Sequence, residues 1–289
     1  MMNTYINISD KFDNLLLIEV LERLRKATQK FDIPFFIVGA TARDLVLEYG
    51  FGINPGRATA DVDIGVRVSS WDDFNRLKKE LGTDGKFRAH GNKCRMVHEN
   101  GVPIDLLPFG LNSSGTRIVE WPPEDGEELN MNGFAEAFEH SIEVCISSEP
   151  ELVVKVASPV GLVLLKLLAW NDRKPETRDA IDLGYLVKDY LDFGNLKRLI
   201  NQHADLVHVD EFDYQVAGAQ LLGRDLAKTC DKKTRKILLQ ILEPELGKSG
   251  DLPLVVQSAG SSPEINRTYE FWSAIYNEFV NFEIGKYDH

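Results

Sequence analysis

The chain has 289 residues, of which 43% are hydrophobic and 27% charged, and this composition predicts one large or two modest globular domains. The net charge of -12 at pH 7 repels polyanions, which disfavours broad, nonspecific nucleic-acid binding but leaves room for a local basic patch that binds one RNA end. The three cysteines are too few and too scattered for a disulfide framework or a zinc site.

Predicted strands and helices alternate in the first half of the chain. The N-terminal residues lack the basic head and apolar core of a signal peptide. Apolar residues recur at helical spacing over 12–30 and predict the first helix. The later elements of this half are strands at 34–38 and 60–68, helices at 40–50 and 69–82, a Gly- and Pro-rich loop at 51–59, and a meander of strands at 86–90, 93–100 and 102–110.

The second half of the chain is predicted to be mainly helical. Turn residues dominate 110–133, and two short strand patterns follow at 140–147 and 151–158. Helices are then predicted at 158–170, 178–191, 194–203, 211–229 and 265–280, with an irregular linker over 244–264. The longest apolar stretch, which Lys166 interrupts, is too short to span a bilayer, so we expect a cytoplasmic protein without membrane contact.

This layout predicts an α+β fold. Residues 1–157 are expected to form a domain with a mixed sheet and flanking helices, and residues 158–289 a mainly helical domain.

Two carboxylates stand in an otherwise apolar strand pattern. Residues two apart in a strand point to the same face, so Asp61 and Asp63 are expected to project together, with Val62 and Ile64 on the opposite face. Such close carboxylates repel each other unless a cation lies between them, and Mg²⁺ prefers oxygen ligands. A third acid, Asp105, lies in the next apolar strand pattern. The alternative is a solvated strand edge and an ordinary strand end.

A small-residue turn precedes the acids. Gly39 follows the strand at 34–38 and comes just before a helix, so the backbone there can approach a ligand closely. The N–H groups at the start of that helix and the hydroxyl of Thr41 are candidate donors to a phosphate. A plain strand-to-helix turn is the alternative.

The order of strand, glycine turn, helix, paired acids and later single acid resembles the nucleotidyltransferase superfamily typified by polymerase beta, over about residues 34–110. The stretch VGATARDLVL is also similar to the head domain of CCA-adding enzymes and poly(A) polymerases, with Arg43 and Asp44 at the place of an Arg-Asp pair. Ala40 departs from the family, which usually has Gly or Ser there; this change removes a hydroxyl but leaves the backbone donors.

The resemblance implies a fold, a reaction and a set of site residues. The fold would be the nucleotidyltransferase mixed sheet, and the reaction would use Mg²⁺ or Mn²⁺ with an NTP as substrate. The implied metal ligands and catalytic residues are Asp61, Asp63 and Asp105. The implied nucleotide contacts in this half are Gly39, Ala40, Thr41 and Arg43.

A second resemblance lies in the helical half. The segment LLKLLAWNDRKPETRDAIDLGYLV is similar to AbiEii-like nucleotidyltransferases, many of them toxins of type IV toxin–antitoxin pairs. The positions that match their pattern are Lys166, Arg173, Arg178, Asp179, Asp182 and Leu183. It implies that Lys166, Asp179 and Asp182 bind nucleotide and that the helical domain completes the nucleotide site. A lysine in an apolar helix face needs an anion, and an interhelical ion pair with Asp179 or Asp182 is the alternative.

A basic stretch over 86–98 contains four cations and no acid, namely Lys86, Arg88, Lys93 and Arg95. If its two halves form a hairpin, these charges gather beside the strand of Asp105 and could hold a triphosphate or an RNA end. A solvated hairpin is the alternative.

Two hypotheses of function follow. The first is an enzyme that transfers an NMP from an NTP to a hydroxyl of an RNA end such as that of a tRNA, of a protein or of a small molecule, with an antitoxin protein as a partner. The second is an inactive binding module that keeps the fold; Ala40 favours it and the three acids oppose it.

Overall fold

The structure is a computed structural model that describes residues 4–53, 61–111, 118–120, 128–174, 176–246 and 252–281. It contains two compact units, one of residues 4–158 and one that begins at Pro159. Within the described residues, no helix is long and apolar enough to cross a membrane.

An eight-stranded mixed sheet forms the centre of the first unit. Its strands are β1 (Tyr5–Asn7), β2 (Phe35–Val38), β3 (Val62–Arg67), β4 (Phe87–Ala89), β5 (Arg95–His98), β6 (Pro103–Phe109), β9 (Ile142–Ser148) and β10 (Glu151–Val156), while β7 (Ile118–Glu120) and β8 (Glu128–Asn130) pair separately. The order across the sheet is β1-β9-β10-β2-β3-β6-β5-β4. Strands β2, β3 and β6 are neighbours in this order. The glycine turn follows β2, Asp63 lies on β3 just after Asp61, and Asp105 lies on β6, so the topology brings these features together.

The helices described in the first unit are α1 (Leu15–Lys30), α2 (Gly39–Asp44), α3 (Trp71–Gly82) and α4 (Phe134–Glu139), and side-chain caps start α1 and α3. The Asn14 side chain accepts a hydrogen bond from the Leu17 N–H at the start of α1, and the Ser70 hydroxyl accepts one from Asp73 at the start of α3. The predicted helix at 40–50 exists, but its second half, Leu45–Gly50, is a π-helical turn.

The second unit is helical, as predicted. Its helices are α5 (Pro159–Asp172), α6 (Arg178–Lys188), α7 (Leu196–Gln202), α8 (Tyr214–Thr229), α9 (Lys232–Leu246), α10 (Pro253–Ala259) and α11 (Ile265–Asn281). The mixed sheet with flanking helices, followed by a helical half, confirms the predicted fold class.

The predicted linker over 244–264 is wrong in part. Helix α9 runs to Leu246, and α10 lies inside the stretch, with Pro253 in its first turn and Gly260 as its C-cap. Helix α10 packs so closely on α6 that a Cβ on Gly184 would lie 2.2 Å from the Ser258 carbonyl oxygen. This packing, which the local sequence does not show, holds α10 in place. Residues 247–251 of the predicted linker lie outside the described residues.

A buried charge network joins the helices of the second unit. The Arg224 guanidinium ion-pairs with Asp205 and Glu278, and its Nη1 lies 3.0 Å from Nδ1 of His203, which is only 4% exposed. Burial lowers the pKa of His203 from 6.5 to about 4, and the charge of Arg224 is the next largest cause.

This shift predicts a loss of stability in mild acid. An unfolded histidine takes up a proton near pH 6.5, whereas folded His203 stays neutral until about pH 4, so each step down within that window favours the unfolded chain. Between about pH 7 and about pH 5 we expect the free energy of unfolding to fall by roughly 2 kcal/mol on account of His203. Urea unfolding of wild type and of His203→Gln at both pH values isolates the effect, because the two proteins differ at this residue alone. Equal losses in the two proteins would contradict the prediction.

Candidate active site

Two of the predicted site acids, Asp63 and Asp105, lie on adjacent parallel strands of the first unit. Strands β3 and β6 are in register with Asp63 opposite Asp105, and both residues are half-buried. Their neighbours Val62, Ile64 and Ile104 are buried, as the alternation predicts. Asp61 lies one residue before β3 begins, rather than inside the strand, and its side chain is 46% exposed. The structure therefore places Asp63 and Asp105 within strands of the sheet and Asp61 just before the start of β3.

Arg95 bridges two of these acids. It lies directly opposite Asp105 in the antiparallel pair of β5 and β6. Its Nε and Nη2 donate to the two Asp105 carboxylate oxygens at 2.9 and 2.7 Å, and Nη2 also donates to Asp61 Oδ2 at 2.8 Å. These contacts raise the pKa of Arg95 above its usual value, and the hydrogen bond with Asp105 contributes most. The guanidinium therefore stays charged.

The sequence offered a basic hairpin beside Asp105 as one of two alternatives, the other being a solvated hairpin, and did not predict this bridge. Strands β4 and β5 do form the hairpin, and β5 pairs with β6. Lys86 on the hairpin forms an ion pair with Glu99, and Arg88 is exposed. The signal that singles out Arg95 is its position directly across from Asp105, which depends on the register of the two strands.

Gly39 lies directly against the Asp63 carboxylate. Its φ is +67°, a conformation that favours glycine, and a Cβ at this position would lie 2.1 Å from Asp63 Oδ2. Strands β2 and β3 pair antiparallel with Val38 opposite Asp63, which sets the turn against the acid. Any side chain at residue 39 would therefore displace Asp63.

The other predicted contacts of the glycine turn are buried. Thr41 is 6% exposed and its hydroxyl donates to the Asp61 carbonyl oxygen at 3.0 Å, so it fixes the backbone that carries the first acid. Ala40 is also buried. The Arg43 guanidinium is fully buried and donates to Asp44 Oδ1 from both Nε and Nη2. Nucleotide binding by Ala40, Thr41 and Arg43 stays a prediction.

In the second unit, Lys166 forms the interhelical ion pair that was the alternative to a nucleotide contact. From α5, its Nζ lies 2.5 Å from Asp182 Oδ2 and 3.5 Å from Asp179 Oδ1, both on α6. Arg173 adds a bond to Asp179 Oδ2 at 2.7 Å. The Lys166 and Asp182 side chains are 7% and 2% exposed. Nucleotide binding by Lys166, Asp179 and Asp182 also stays a prediction.

The donor chemistry of Asp61, Asp63 and Asp105 fits a hard divalent cation. All three offer carboxylate oxygens, which Mg²⁺ and Mn²⁺ prefer, and two of them are direct neighbours across adjacent strands. Among the described residues, the group of three whose ligand atoms lie within 4.8 Å of one another is a different one, Glu19, His98 and Glu99. Its acids already have partners, since Glu99 pairs with Lys86 and Glu19 accepts from Asn100. Metal binding by Asp61, Asp63 and Asp105 stays a prediction, and Arg95 lies between two of these acids.

The family of the chain follows from a comparison with protein families. Residues 20–246 match the family described as nucleotidyl transferase AbiEii toxin, type IV TA system. The match covers most of the chain, and the chain belongs to this family, so it is a nucleotidyltransferase. A comparison with curated proteins gave no match.

Solved structures show weaker likenesses. The solution structure of the antibiotic-resistance factor ANT(2'')-Ia is 12% identical with a TM-score of 0.38, and the match covers 68% of this chain and 97% of that chain. The apo form II of a CCA-adding enzyme is 15% identical with a TM-score of 0.33, over 96% of this chain and 67% of that chain. The Thermotoga maritima CCA-adding enzyme complexed with tRNA is 11% identical with a TM-score of 0.26, over 94% and 84%. Such low scores carry no argument about this chain.

Proposed function

We propose that the protein uses a divalent metal, Mg²⁺ or Mn²⁺, to transfer an NMP from an NTP to a hydroxyl group of an acceptor, and that it acts as the toxin of a toxin–antitoxin pair. The acceptor would be an RNA end such as that of a tRNA, a protein side chain or a small molecule. The observation that carries the proposal is that Asp63 lies opposite Asp105 on adjacent strands, beside the glycine turn. The Asp63 carboxylate fills the space that a side chain at residue 39 would need. Family membership agrees with it.

In this reaction the acceptor oxygen forms a bond to the α-phosphorus of the NTP, and the bond from that phosphorus to the pyrophosphate oxygen breaks. The hydroxyl proton passes to a carboxylate of the site, for which Asp105 is the candidate because it is the more enclosed of the two acids on Arg95, at 15% exposed against 46% for Asp61. A bound divalent cation would supply charge neutralisation for the phosphates and lower the pKa of the hydroxyl. Asp61 and Asp63 would hold the cation of the triphosphate, and Asp105 would join them in holding a second cation, which activates the hydroxyl.

The nucleotide contacts are a separate part of the proposal. The backbone around Gly39 and Ala40 would approach the phosphates, because Gly39 has no side chain and helix α2 begins there. The nucleotide roles of Lys166, Asp179 and Asp182 rest on the sequence motif, since each of these side chains already has a partner within its own unit.

The test is transfer from α-³²P-labelled NTPs. We expect label to move to an acceptor in the presence of Mg²⁺ or Mn²⁺ when total RNA, total protein and small hydroxyl compounds are offered in turn, and to stay on the NTP when a chelator is added. Asp63→Asn is the matched negative control, because it removes one charge and keeps the shape of the side chain. Nucleotide binding without transfer to any acceptor class would favour the inactive binding module.

A further inference from the structure

We infer that Arg95 competes with the divalent cation for Asp61 and Asp105, and that it thereby makes metal binding depend on the arrival of the nucleotide. This inference rests on the proposed function and concerns the order in which the site is filled. It follows from three hydrogen bonds, a strand register and the charges of three side chains.

The guanidinium already occupies the carboxylate oxygens that a cation would need. Asp105 receives both of its bonds side-on from Arg95, through Nε and Nη2, and the same Nη2 reaches Asp61. A bidentate guanidinium–carboxylate pair is strong and directional, and a carboxylate held in this way has its best lone pairs engaged. A metal ion that takes up Asp61 and Asp105 must therefore displace at least part of this pairing.

The position of Arg95 also allows it to leave. Its side chain is 29% exposed, and it stands on β5, next to the last strand at this edge of the sheet, with only the short strand β4 beyond it. A charged side chain that is partly open to water can turn away from its partners more cheaply than one that is enclosed. The anion that would best receive a displaced guanidinium is a triphosphate, because planar guanidinium groups bind phosphate oxygens well.

These points predict positive coupling between NTP and metal. Without NTP, Arg95 has no better partner than the two acids, so the metal binds weakly. With NTP present, the phosphates stabilise the displaced arginine as well as the metal, so each ligand favours the other. A site of this kind stays unloaded by metal until nucleotide is present.

The experiment measures Mn²⁺ binding by the full chain, from the electron paramagnetic resonance signal of free Mn²⁺, without NTP and with a non-hydrolysable NTP at buffered free Mn²⁺. In Arg95→Gln we expect Mn²⁺ alone to bind about tenfold more tightly than in wild type, and NTP to improve Mn²⁺ binding about tenfold less than it does in wild type. Arg76→Gln is the matched control, since it removes the same charge from an exposed position on α3, outside the basic stretch, and should behave like wild type. Arg95→Lys keeps the charge but not the two-pronged contact, so its affinity for Mn²⁺ should lie between those of wild type and Arg95→Gln.

The outcomes separate this inference from the proposed function. If wild type binds Mn²⁺ with NTP but neither Arg95 variant binds Mn²⁺ alone more tightly than Arg76→Gln, the competition is disproved and the proposed function stands. If Mn²⁺ fails to bind wild type even with NTP, both are disproved. A thermal unfolding midpoint measured for each variant shows whether that variant is folded. If Arg95→Gln does not fold, the comparison is made with Arg95→Lys.

Discussion

Asp105→Asn is expected to cut the rate of nucleotidyl transfer by about a hundredfold or more, while the affinity for metal-bound NTP stays within a few-fold of wild type. The reason is the proposed division of labour among the acids. Asp105 would act on the attacking hydroxyl, an interaction that is made chiefly in the transition state, whereas Asp61 and Asp63 would hold the metal that carries the triphosphate. Single-turnover transfer and equilibrium binding of a non-hydrolysable NTP measure the two quantities separately.

Asp63→Asn and Asp61→Asn supply the contrast, since both should lower affinity and rate together. Equal losses of NTP affinity in all three variants would place Asp105 with the nucleotide metal and contradict its assigned role. If Asp105→Asn changed neither quantity, Asp105 would be only a structural partner of Arg95.

The structure also refines what these substitutions should do to stability. Asp61 and Asp105 both accept from Arg95, so asparagine at either position weakens an ion pair as well as relieving repulsion. Thermal unfolding midpoints of Asp61→Asn and Asp105→Asn measure that loss.

Much of this site was predictable because it depends on short-range alternation. Asp63, Asp105 and Gly39 each lie in a strand or turn that the local sequence indicates, whereas Asp61, expected inside the strand, lies one residue before it. Residues two apart share a face of a strand, so the buried Val62 and Ile64 and the half-buried Asp63 could be inferred before the structure was known.

The Arg95 bridge was not predictable because it depends on which residues face each other across two strands. A shift of one residue between β5 and β6 would turn Arg95 to the opposite face of the sheet. The sequence placed four cations near Asp105 but held no signal that distinguished Arg95 from Arg88. Only the observed register does so.

The errors in the helical half have a similar origin. Helix α9 was not predicted, and α10 was read as part of a linker. Local propensity is weak for a seven-residue helix such as α10, and tertiary packing decides whether it forms. The contact of Gly184 with the Ser258 backbone supplies that packing, and it lies too far away in sequence to be seen from local periodicity.

Lys166→Met is the second change with a large expected effect, in this case on stability. Lys166 has two acidic partners on α6, and Asp182 is almost completely enclosed, with a side chain that is 2% exposed. Lys166→Met removes the cation that lies 2.5 Å from this buried carboxylate, and the loss of one member of a buried ion pair typically costs about 3 kcal/mol or more. Methionine keeps most of the length and apolar stem of lysine, so the loss reports the missing charge and not a cavity.

The measurement for Lys166→Met is urea unfolding of the full chain, with NTP affinity determined on the same variant. Lys188→Met is the matched control, because it removes the same charge from an exposed position in the last turn of α6 and should change stability by less than about 0.5 kcal/mol. A double variant, Lys166→Met with Asp182→Leu, should recover much of the lost stability, since it removes both buried charges together and the pair is coupled. A large loss of stability with unchanged NTP affinity would show that Lys166 is a structural residue and would end the proposal that it binds nucleotide. The reverse result, a small loss of stability with NTP affinity lowered about tenfold, would mean that the pair seen with Asp182 gives way to the nucleotide when the site is filled.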